Sequence, residues 1–360
     1  MLTVATELSR ALVNAKSGDE FVLICSRERP ESLQDLDCEA VYTRHRHEVA
    51  VKARWLPAIE PLLEADAILY PYWPSPPFRR AAAPPAVIFV HDLAFRVRPA
   101  EVPWQQRLYF GAVLPAALRG AAAVLVPSRA TGSDLTRLYR LPGLEDKVHV
   151  IPEGVPQSGT TGSLPEGLDP GFILAVGSVE PRKNYPRLLA GYRLLRSRGA
   201  VPFIINGKPG VPELVIAGRA GWAYGDTLER IAVEPGVKYL GHVDEPTLAA
   251  LYGAASVLAF PSLYEGFGLP LLEAMSRGLP AVVGATGALP ELAGDAAVTV
   301  DAEDPAAIAA GLERVLADET LRKRLAEDGI RRAKGYTWAS AAQKTLEVLR
   351  LAGRKTQKAA

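Results

Sequence analysis

The sequence predicts an α/β protein with two domains, each built on a parallel β-sheet that is covered by helices on both faces. The 360-residue chain exceeds what a single hydrophobic core usually supports, so two domains are expected. In both halves short apolar runs alternate with helical segments, which is the pattern of parallel sheets. Between the halves, residues 152–170 are rich in Gly, Pro, Ser and Thr without periodicity, which is typical of a linker.

The first predicted domain spans residues 1–151. Its strands are short apolar runs of the kind that is buried on both faces, at 21–24, 67–70, 87–90 and 123–126. A helical pattern over 105–118 lies between the last two strands, and another over 3–15 precedes the first strand.

The second predicted domain spans residues 171–335, and a C-terminal helix with a tail follows at 336–360. Its predicted strands are at 172–176, 214–217, 237–240, 257–260, 281–283 and 297–300. The predicted helices of this half and of the C-terminus are at 186–198, 247–253, 270–277, 305–317, 319–334 and 338–351. In open α/β sheets ligands bind outside the carboxyl ends of the strands, so the motifs at these ends are the candidates for a site.

The charges of the chain nearly cancel, with 41 Lys and Arg against 40 Asp and Glu. This balance argues against nucleic-acid binding, which needs a marked basic excess. Arginines are nonetheless frequent in the first third of the chain, where they predict either a solvated surface or a basic face that meets anionic lipid or a phosphate-bearing acceptor. These arginines are Arg27, Arg29, Arg44, Arg46, Arg54, Arg79, Arg80, Arg96 and Arg98.

Cysteine usage and the N-terminal sequence both bear on the compartment. Cys25 and Cys38 lack metal-ligand spacing and form no disulfide framework, so a reducing cytoplasm is expected. The N-terminus has no basic region followed by an apolar block, and no stretch approaches the roughly 20 apolar residues that span a bilayer. The sequence therefore predicts a cytoplasmic protein that is soluble or is peripheral at the inner face of the membrane.

Two short patterns could suggest a metal site by composition alone. Asp35-Leu36-Asp37 matches a metal-binding Asp-x-Asp motif but lacks its surroundings, and it is predicted to be a turn. Residues 44–47 read Arg-His-Arg-His and are predicted to form a solvated loop. No metal site is expected.

The strongest candidate site follows the strand at 257–260. Gly266 and Gly268 place a turn before a helix that is predicted to open at Pro270, where the backbone and the helix N–H groups can approach a diphosphate. Glu265 on the loop and Glu273 in the predicted first helical turn could both accept hydrogen bonds from sugar and ribose hydroxyls. The alternative is that Glu265 caps a turn and Glu273 complements the helix dipole.

The stretch from 264 to 275 resembles the E-x7-E motif of retaining glycosyltransferases with two Rossmann-like domains facing across a cleft (GT-B), particularly glycosyltransferase family 4. The similarity, to bacterial mannosyl- and rhamnosyl-type transferases, runs from about 70 to 349 and is densest over 171–300. It implies that Glu265 contacts the transferred sugar, that Glu273 holds the ribose, and that the C-terminal helix crosses back to the N-terminal domain.

A second candidate is the loop that follows the strand at 172–176. Gly177, Arg182 and Lys183 form a plausible diphosphate clamp, because the charge of the leaving group must be neutralised as the glycosidic bond breaks. The loop matches the family's Pro-Arg-Lys-Asn segment. Many family members have arginine directly after the glycine, where this chain has Ser178, so we expect Arg182 to supply that charge. The residues Gly266, Phe267, Gly268 and Leu269 are expected to complete the diphosphate site.

Further candidates come from the resemblance. His91 and Asp92 directly follow the strand at 87–90. In the family the corresponding histidine lies in the interdomain cleft near the donor sugar, which implies a site role for His91. The resemblance implies that Asp92 orients the loop or lines the cleft. Arg129 occupies the matching strand end, where Ala-Val-Leu-Val-Pro-Ser echoes the strand before Glu265. Gly287 lies in a loop resembling the one that lines the donor site, and Val243 lies at the edge where the base packs.

One departure from the family pattern concerns the N-terminus. Relatives begin with a strand and a Gly-rich loop ahead of the first helix, whereas here the helix at 3–15 comes first. The chain is then either a truncated form or one with an altered N-terminal domain, and its catalytic competence is a separate question from its fold.

The sequence thus predicts a metal-independent, retaining hexosyltransferase without a further cofactor. Its donor would be a nucleotide-diphosphate sugar, with GDP-mannose as the family-level choice and UDP and dTDP sugars open. The acceptor would be a glycan or a lipid-linked molecule in polysaccharide assembly. The alternatives are a catalytically impaired nucleotide-sugar-binding relative and a nucleotide-sugar epimerase.

Overall fold

The computed structural model describes residues 2–26, 28–43, 51–72, 74–76, 78–155, 162–198, 204–205, 208–222 and 225–357. Arg27, the predicted loop at 44–47 and part of the predicted linker lie outside the described residues. The chain divides into two compact units. The first unit comprises Met1–Arg96, Trp104–Gly154 and Tyr336–Ala360, and the second comprises Val97–Pro103 and Val155–Gly335.

The first unit contains a four-stranded parallel sheet, in the order β3-β4-β5-β6, and a two-stranded parallel sheet of β1 and β2. The strands are β1 Val22–Ser26, β2 Glu39–Thr43, β3 Ile68–Tyr70, β4 Ala86–Phe89, β5 Ala121–Val126 and β6 Val148–Val150. The helices are α1 Leu2–Val13, α2 Leu56–Ile59, α3 Ala94–Val97, which ends in the second unit, α4 Trp104–Gly120, α5 Arg129–Leu138 and, from the C-terminus, α13 Trp338–Gln357. Single turns of other helix types are Glu31–Leu33, Val51–Trp55, Glu60–Leu62 and Glu145–Lys147.

The strand predicted at 21–24 is present, but the prediction that it is buried on both faces is wrong. β1 pairs with β2 alone, in a sheet of two strands, and Val22 is 49% exposed. By contrast, Ala86, Val87 and Ile88 in β4, a central strand of the four-stranded sheet on which α13 packs, are fully buried. Strands β2 and β6 were not predicted from the sequence, because both carry polar residues among their apolar ones.

Helix α13 packs on α1 and on strands β4 and β5. Arg350 pairs with Asp19 at 2.8 Å, and a Cβ added at Gly353 would lie 3.1 Å from the Cβ of Asp66. Gly154 lies so close to the backbone of Trp338 that any larger residue would overlap it. The C-terminal helix is therefore an integral part of the first unit, as the resemblance implied.

The second unit contains a six-stranded, fully parallel sheet in the order β11-β10-β7-β12-β13-β14 and a short antiparallel pair, β8 with β9. The strands are β7 Ile173–Val176, β8 Ile204–Ile205, β9 Lys208–Pro209, β10 Leu214–Ala217, β11 Val237–Gly241, β12 Val257–Phe260, β13 Ala281–Gly284 and β14 Val298–Val300. The helices are α6 Tyr185–Ser197, α7 Thr227–Val233, α8 Glu245–Ala254, α9 Leu269–Ser276, α10 Leu289–Ala293, α11 Pro305–Ala317 and α12 Glu319–Ala333. Single 3₁₀ turns are Pro99–Glu101 and Pro181–Lys183.

The strand order contains a topological switch point between β7 and β12. From β7 the chain moves outward to β10 and β11, and it then returns to β12 on the other side of β7 before moving outward to β13 and β14. The loops that follow β7 and β12 therefore start side by side at one edge of the sheet, and the chain continues from them toward opposite ends of the sheet. Such a crevice is where open α/β sheets bind ligands.

The core beneath this edge is tightly packed. Leu188 of α6 and Ile308 of α11 are almost fully buried, and burying such a side chain stabilises the fold by about 1.5–3 kcal/mol. A Cβ added at Gly191 would lie 2.9 Å from the carbonyl oxygen of Pro305, and one at Gly311 would lie 2.7 Å from Val300 Cγ1. The absence of side chains at these glycines brings α6, α11 and the sheet into close contact, which fixes the loops above them.

Candidate functional site

The loop after β7 folds back over its own first residue. Gly177 has a φ of +140°, which favours glycine, and a Cβ there would lie 3.2 Å from Lys183 Cε. The hydroxyl of Tyr185 donates a hydrogen bond to the carbonyl oxygen of Gly177 at 2.7 Å. Together these contacts place the side chain of Lys183 across the carboxyl end of β7.

Asn184 joins three loops at the carboxyl edge. Its φ is +62°, and its buried side-chain amide donates to the carbonyl oxygens of Pro261 at 3.0 Å and Ala302 at 2.6 Å. The backbone N–H of Leu263 in turn donates to the carbonyl oxygen of Arg182 at 2.9 Å. Asn184 is the last residue of the Pro-Arg-Lys-Asn segment. Its structural role depends on partners that lie 77 and 118 residues away in the chain.

A cluster of four buried or nearly buried charges forms where the β7 and β12 loops meet. Arg182 Nη1 donates to Glu265 Oε2 at 2.6 Å, and Lys183 Nζ donates to Glu265 Oε1 at 2.7 Å. Arg182 Nη2 donates to Glu180 Oε1 at 2.8 Å. Arg182 and Lys183 thus point toward the β12 loop, and Glu265, which is 7% exposed, contacts both. The sequence indicated no role for Glu180.

The cluster fixes the protonation state of Glu265. Burial alone would raise the pKa of this carboxyl, but the adjacent charges of Arg182 and Lys183 outweigh it and lower the pKa to about 2. Burial raises the pKa of Glu180 against the opposing charge of Arg182. Lys183 Nζ also lies 4.8 Å from the centroid of the Phe260 ring, within cation–π range. Glu265 is therefore ionised at neutral pH and acts as an acceptor.

The turn before α9 supplies backbone groups beside this cluster. Residues 261–268 are buried, including Gly266 and Phe267, and Gly268 has a φ of +111°. Pro270 carries no N–H, and the N–H of Leu271 donates to the carbonyl oxygen of Gly268 at 3.0 Å. In the part of the chain that the structure describes, the N–H groups of Gly268 and Leu269 thus remain as donors for an anion.

The position of Glu273 differs from the prediction. Helix α9 begins at Leu269 rather than at Pro270, because the turn ends at Gly268, whose backbone is in the left-handed region. Glu273 is therefore the fifth residue of the helix and lies in its second turn, not in its first. Burial raises the pKa of Glu273, opposed by the neighbouring hydroxyl of Tyr252 and the charge of Arg277. Complementing the helix dipole, which acts within the first turn, therefore does not account for this carboxyl.

Gly287 lies against the backbone of Glu265. Its φ is +56°, and a Cβ there would lie 2.5 Å from the carbonyl oxygen of Glu265. The backbone N–H of Ala288 donates to that same oxygen at 2.9 Å. The loop after β13 therefore holds the backbone of Glu265 in place. Val243 is partly exposed and follows β11, directly before Asp244, whose carboxylate caps α8 by accepting from the N–H of Thr247 at 2.9 Å.

In the first unit, His91 is buried directly after β4. Its Nε2 donates to the carbonyl oxygen of Pro71 at 2.7 Å, and its Nδ1 lies 3.3 Å from Glu153 Oε1. The ring stacks on Phe89 with a centroid distance of 4.5 Å. Asp92 accepts a hydrogen bond from the N–H of Ala94 at 3.0 Å and so shapes the turn into α3. The sequence gave no signal for Glu153, because the pairing spans 62 residues.

Arg129 begins α5 and is exposed. The preceding Ser128 caps this helix, since its hydroxyl oxygen accepts from the N–H of Thr131 at 3.0 Å. The helix therefore starts directly after the Pro-Ser pair that follows the buried strand β5.

The described ranges contain neither a cluster of metal ligands nor a membrane-spanning helix. No group of three or more His, Cys, Asp and Glu side chains is arranged there to hold a metal ion. Asp35 lies in a turn and pairs with Arg10 at 2.5 Å, and both Cys25 and Cys38 are free. None of the helices described has the length and apolar character that crossing a bilayer requires.

Two family profiles divide the chain between them. The profile described as Glycosyltransferase Family 4 matches residues 1–158, and that described as Glycosyl transferases group 1 matches residues 162–332. The chain is 33% identical over 276 residues to O-antigen chain mannosyltransferase B of Escherichia coli, in a match that covers 74% of this chain and 70% of that relative. Matches to two further curated relatives cover 60% and 49% of their lengths.

Solved structures share the fold at low sequence identity. Sucrose-phosphate synthase from Thermosynechococcus elongatus is 21% identical with a TM-score of 0.71, over 95% of this chain and 91% of that one. Anabaena Alr3699/HepE, solved in complex with UDP and glucose, is 17% identical with a TM-score of 0.69, over 96% of this chain and 95% of that one. The chain therefore belongs to glycosyltransferase family 4 and has the GT-B fold of two Rossmann-like domains.

Proposed function

We propose that the chain transfers a hexose from a nucleotide-diphosphate sugar to a glycan or lipid-linked acceptor in polysaccharide assembly, with retention of anomeric configuration. The observation that carries the proposal is the meeting of Arg182, Lys183 and Glu265 at the switch point of the six-stranded sheet. Breaking the glycosidic bond of such a donor leaves a nucleoside diphosphate, whose developing charge needs fixed cations. Two cations held in place by a buried carboxylate meet that need.

In this proposal Arg182 and Lys183 bind the diphosphate from one side, and the N–H groups of Gly268 and Leu269 bind it from the other. The four-charge cluster is neutral when every member is ionised, so an incoming diphosphate adds net negative charge. Protonation of Glu180, whose pKa is raised by burial, would relieve that excess. A basic clamp of this kind can neutralise the leaving group without a metal ion, and we propose metal-independent transfer.

The remaining roles follow from the state of each carboxyl group. Ionised Glu265 accepts hydrogen bonds from the hydroxyls of the transferred sugar and stabilises positive charge that develops on it, so it need not act as a proton donor. Glu273 holds the ribose, and Val243 packs beside the base. We propose a sugar-binding role for His91 in the first unit, where Glu153 beside its Nδ1 orients the ring.

The choice of donor rests on relatives. Because one relative is described as an O-antigen chain mannosyltransferase, we propose GDP-mannose as the first donor to test. UDP and dTDP sugars stay in the panel, since a structure with the same fold was solved with UDP and glucose.

The test is a transfer assay with each donor, with and without saccharide and lipid-linked acceptors, in the presence and absence of EDTA. We expect release of nucleoside diphosphate that depends on acceptor, a product with the anomeric configuration of the donor, and no loss of rate with EDTA. Binding without turnover would instead indicate an impaired relative, and a changed sugar without any acceptor would indicate an epimerase. Failure of every nucleoside diphosphate to bind would overturn the proposal.

We also propose that the first unit contacts anionic lipid at the inner face of the membrane. A cavity of about 650 Å³ lies at the amino ends of β4, β5 and β6, lined by cationic side chains from several elements. The cations are Arg79, Arg80, Arg119 and Lys147, and of these Arg79 is already paired with the buried carboxylate of Glu60 at 2.7 Å. Phe78 at this cavity is 83% exposed, which places an apolar side chain beside the cationic groups, as a lipid-contacting surface requires.

Vesicle co-sedimentation tests this contact. We expect binding to vesicles with phosphatidylglycerol and not to pure phosphatidylcholine vesicles, with weaker binding at higher salt. Arg80→Glu combined with Arg119→Glu should abolish it, while Arg137→Glu on α5 should leave it intact. Equal binding of both variants would contradict the proposed surface.

A further inference from the structure

The segment Val97–Pro103 belongs to the second unit, although it lies between two elements of the first in sequence. Arg98 Nη2 pairs with Glu303 Oε1 at 2.7 Å, and Trp222 Nε1 donates to the carbonyl oxygen of Glu101 at 3.4 Å. Glu303 follows β14 and Trp222 follows β10, so both contacts lie at the carboxyl edge of the six-stranded sheet. The segment is therefore anchored at the edge that carries the candidate donor site.

The side chain of Glu101 has an unusual environment for a carboxylate. It is 17% exposed, and its Oε1 is 3.9 Å from Arg98 Nη1, whereas Arg98 makes its short contact with Glu303 instead. Its other oxygen, Oε2, is buried and has no hydrogen-bond partner among the described residues. Since buried polar atoms in native proteins are nearly always paired, this oxygen is an acceptor open to a donor from outside the described chain.

The charged groups that face Glu101 connect it to the diphosphate clamp. They are Arg98 on its own segment, Arg187 on α6, Glu303 after β14 and Arg182. Arg187 also donates to the side chain of Asn184 at 3.1 Å, directly after the clamp residues. Burial raises the pKa of Glu101, which the three arginines oppose. Glu101 is thus electrostatically coupled to the same arginine that contacts Glu265.

We propose that Oε2 of Glu101 accepts a hydrogen bond from a hydroxyl of the donor's sugar, which makes Glu101 a specificity-determining residue. A carboxylate repels phosphate and pairs well with a hydroxyl, so its ligand is the sugar and not the diphosphate. The inference rests on the proposed function, because it assumes a nucleotide sugar bound at Arg182 and Lys183.

The experiment compares wild type, Glu101→Gln, Glu101→Ala and the control Glu313→Gln, whose carboxylate pairs with Arg198 on the surface of the same unit. For each we would measure the Kd of the nucleoside diphosphate, the Kd of the matching nucleotide sugar, and kcat/KM for that donor and its monodeoxy analogues. Thermal unfolding of each variant reports whether the fold is kept.

We expect both Glu101 variants to bind the nucleoside diphosphate within about twofold of wild type, and to lose roughly tenfold or more in kcat/KM for the full sugar. For the monodeoxy donor that lacks the contacted hydroxyl, Glu101→Ala and wild type should have the same kcat/KM. Glu313→Gln should match wild type throughout.

Unchanged nucleotide-sugar affinity and kcat/KM in Glu101→Ala would overturn the inference, and so would an equal loss for diphosphate and nucleotide sugar, which would show that Glu101 acts through the clamp. Failure of the proposed function is a separate result, because wild type itself would then bind no nucleoside diphosphate and the inference would fall with it.

Discussion

The carboxyl edges of the two parallel sheets carry polar groups that are satisfied in different ways. At the six-stranded sheet, Arg182, Lys183 and Glu265 come from loops 82–83 residues apart and are held largely by one another. At the four-stranded sheet, Ser128 caps a helix and His91 donates to a backbone carbonyl. The first edge therefore carries two nearly buried cations held against a carboxylate, whereas the second edge carries a helix cap and the buried pair of His91 with Glu153.

This difference has an energetic consequence. Removing one member of a buried ion pair leaves an uncompensated charge and destabilises a protein by about 3–5 kcal/mol, more than a surface pair is worth. A cluster that is costly to bury, at a switch point of the sheet, is a strong indication of a site. Substitutions at each edge measure how far the two edges differ.

The largest effect is expected from Glu265→Gln. Loss of the negative charge removes the group that orients both cations and stabilises the sugar, so kcat should fall about 10²–10³-fold or more while the protein remains folded. Initial rates with the best donor and circular dichroism check this. Glu319→Gln, at an exposed pair with Lys323, should keep the wild-type rate. Full activity in Glu265→Gln would refute the role assigned to this residue.

Gly287→Ala should give the next largest effect. The new Cβ would overlap the carbonyl oxygen of Glu265, and left-handed backbone adds about 1–2 kcal/mol, so both the free energy of unfolding and kcat should fall. Gly143→Ala is the matched control, because Gly143 has a similar φ of +69° and no described heavy atom near the added Cβ. Urea unfolding and initial rates measure both. Equal losses in the two variants would show that the contact with Glu265 is unimportant.

A smaller and more selective effect is expected from His91→Gln in the first unit. The glutamine can still donate one hydrogen bond, so kcat should fall about tenfold while the Kd of the nucleoside diphosphate stays within about twofold of wild type. Isothermal titration with steady-state kinetics separates the two quantities. A fall in nucleoside diphosphate affinity together with kcat would contradict the assignment of diphosphate binding to the edge of the six-stranded sheet alone.

The smallest effect is expected from Glu180→Gln and concerns pH. Because burial raises the pKa of Glu180, lowering the pH protonates it and leaves Arg182 less compensated. Nucleotide-sugar affinity should therefore rise a few-fold as the pH falls through this raised pKa and should decline as the pH rises through it. At every pH, Glu180→Gln should bind the nucleotide sugar with the affinity that wild type reaches at low pH. A wild type and variant with parallel pH profiles would contradict this assignment.

The sequence predicted the charged motif well because both halves of it follow apolar strands, whose parallel order places their ends together. It placed Arg182, Lys183 and Glu265 on loops at one sheet edge, and the structure brings their side chains into contact. Glu153 and Glu180 were missed, since a buried acid is recognised only by its partners in space. The start of α9 was misplaced by one residue, which moved Glu273 from the second turn into the first.

Other differences have the same origin. The run at 21–24 is as apolar as a central strand, but its burial depends on which elements cover the faces of its sheet, and local sequence does not specify them. The segment Val97–Pro103 packs in the second unit through Arg98 and Trp222, and contacts over 100 residues or more leave no local pattern.

The most direct test of the central claim is isothermal titration of GDP and UDP into wild type, Arg182→Gln and the control Arg230→Gln, whose arginine lies in an exposed pair with Asp226. We predict that wild type and Arg230→Gln bind one of these nucleotides with equal affinity, and that Arg182→Gln binds it about 10–100-fold more weakly. Wild-type affinity in Arg182→Gln would contradict the claim that the β7 loop holds the leaving diphosphate.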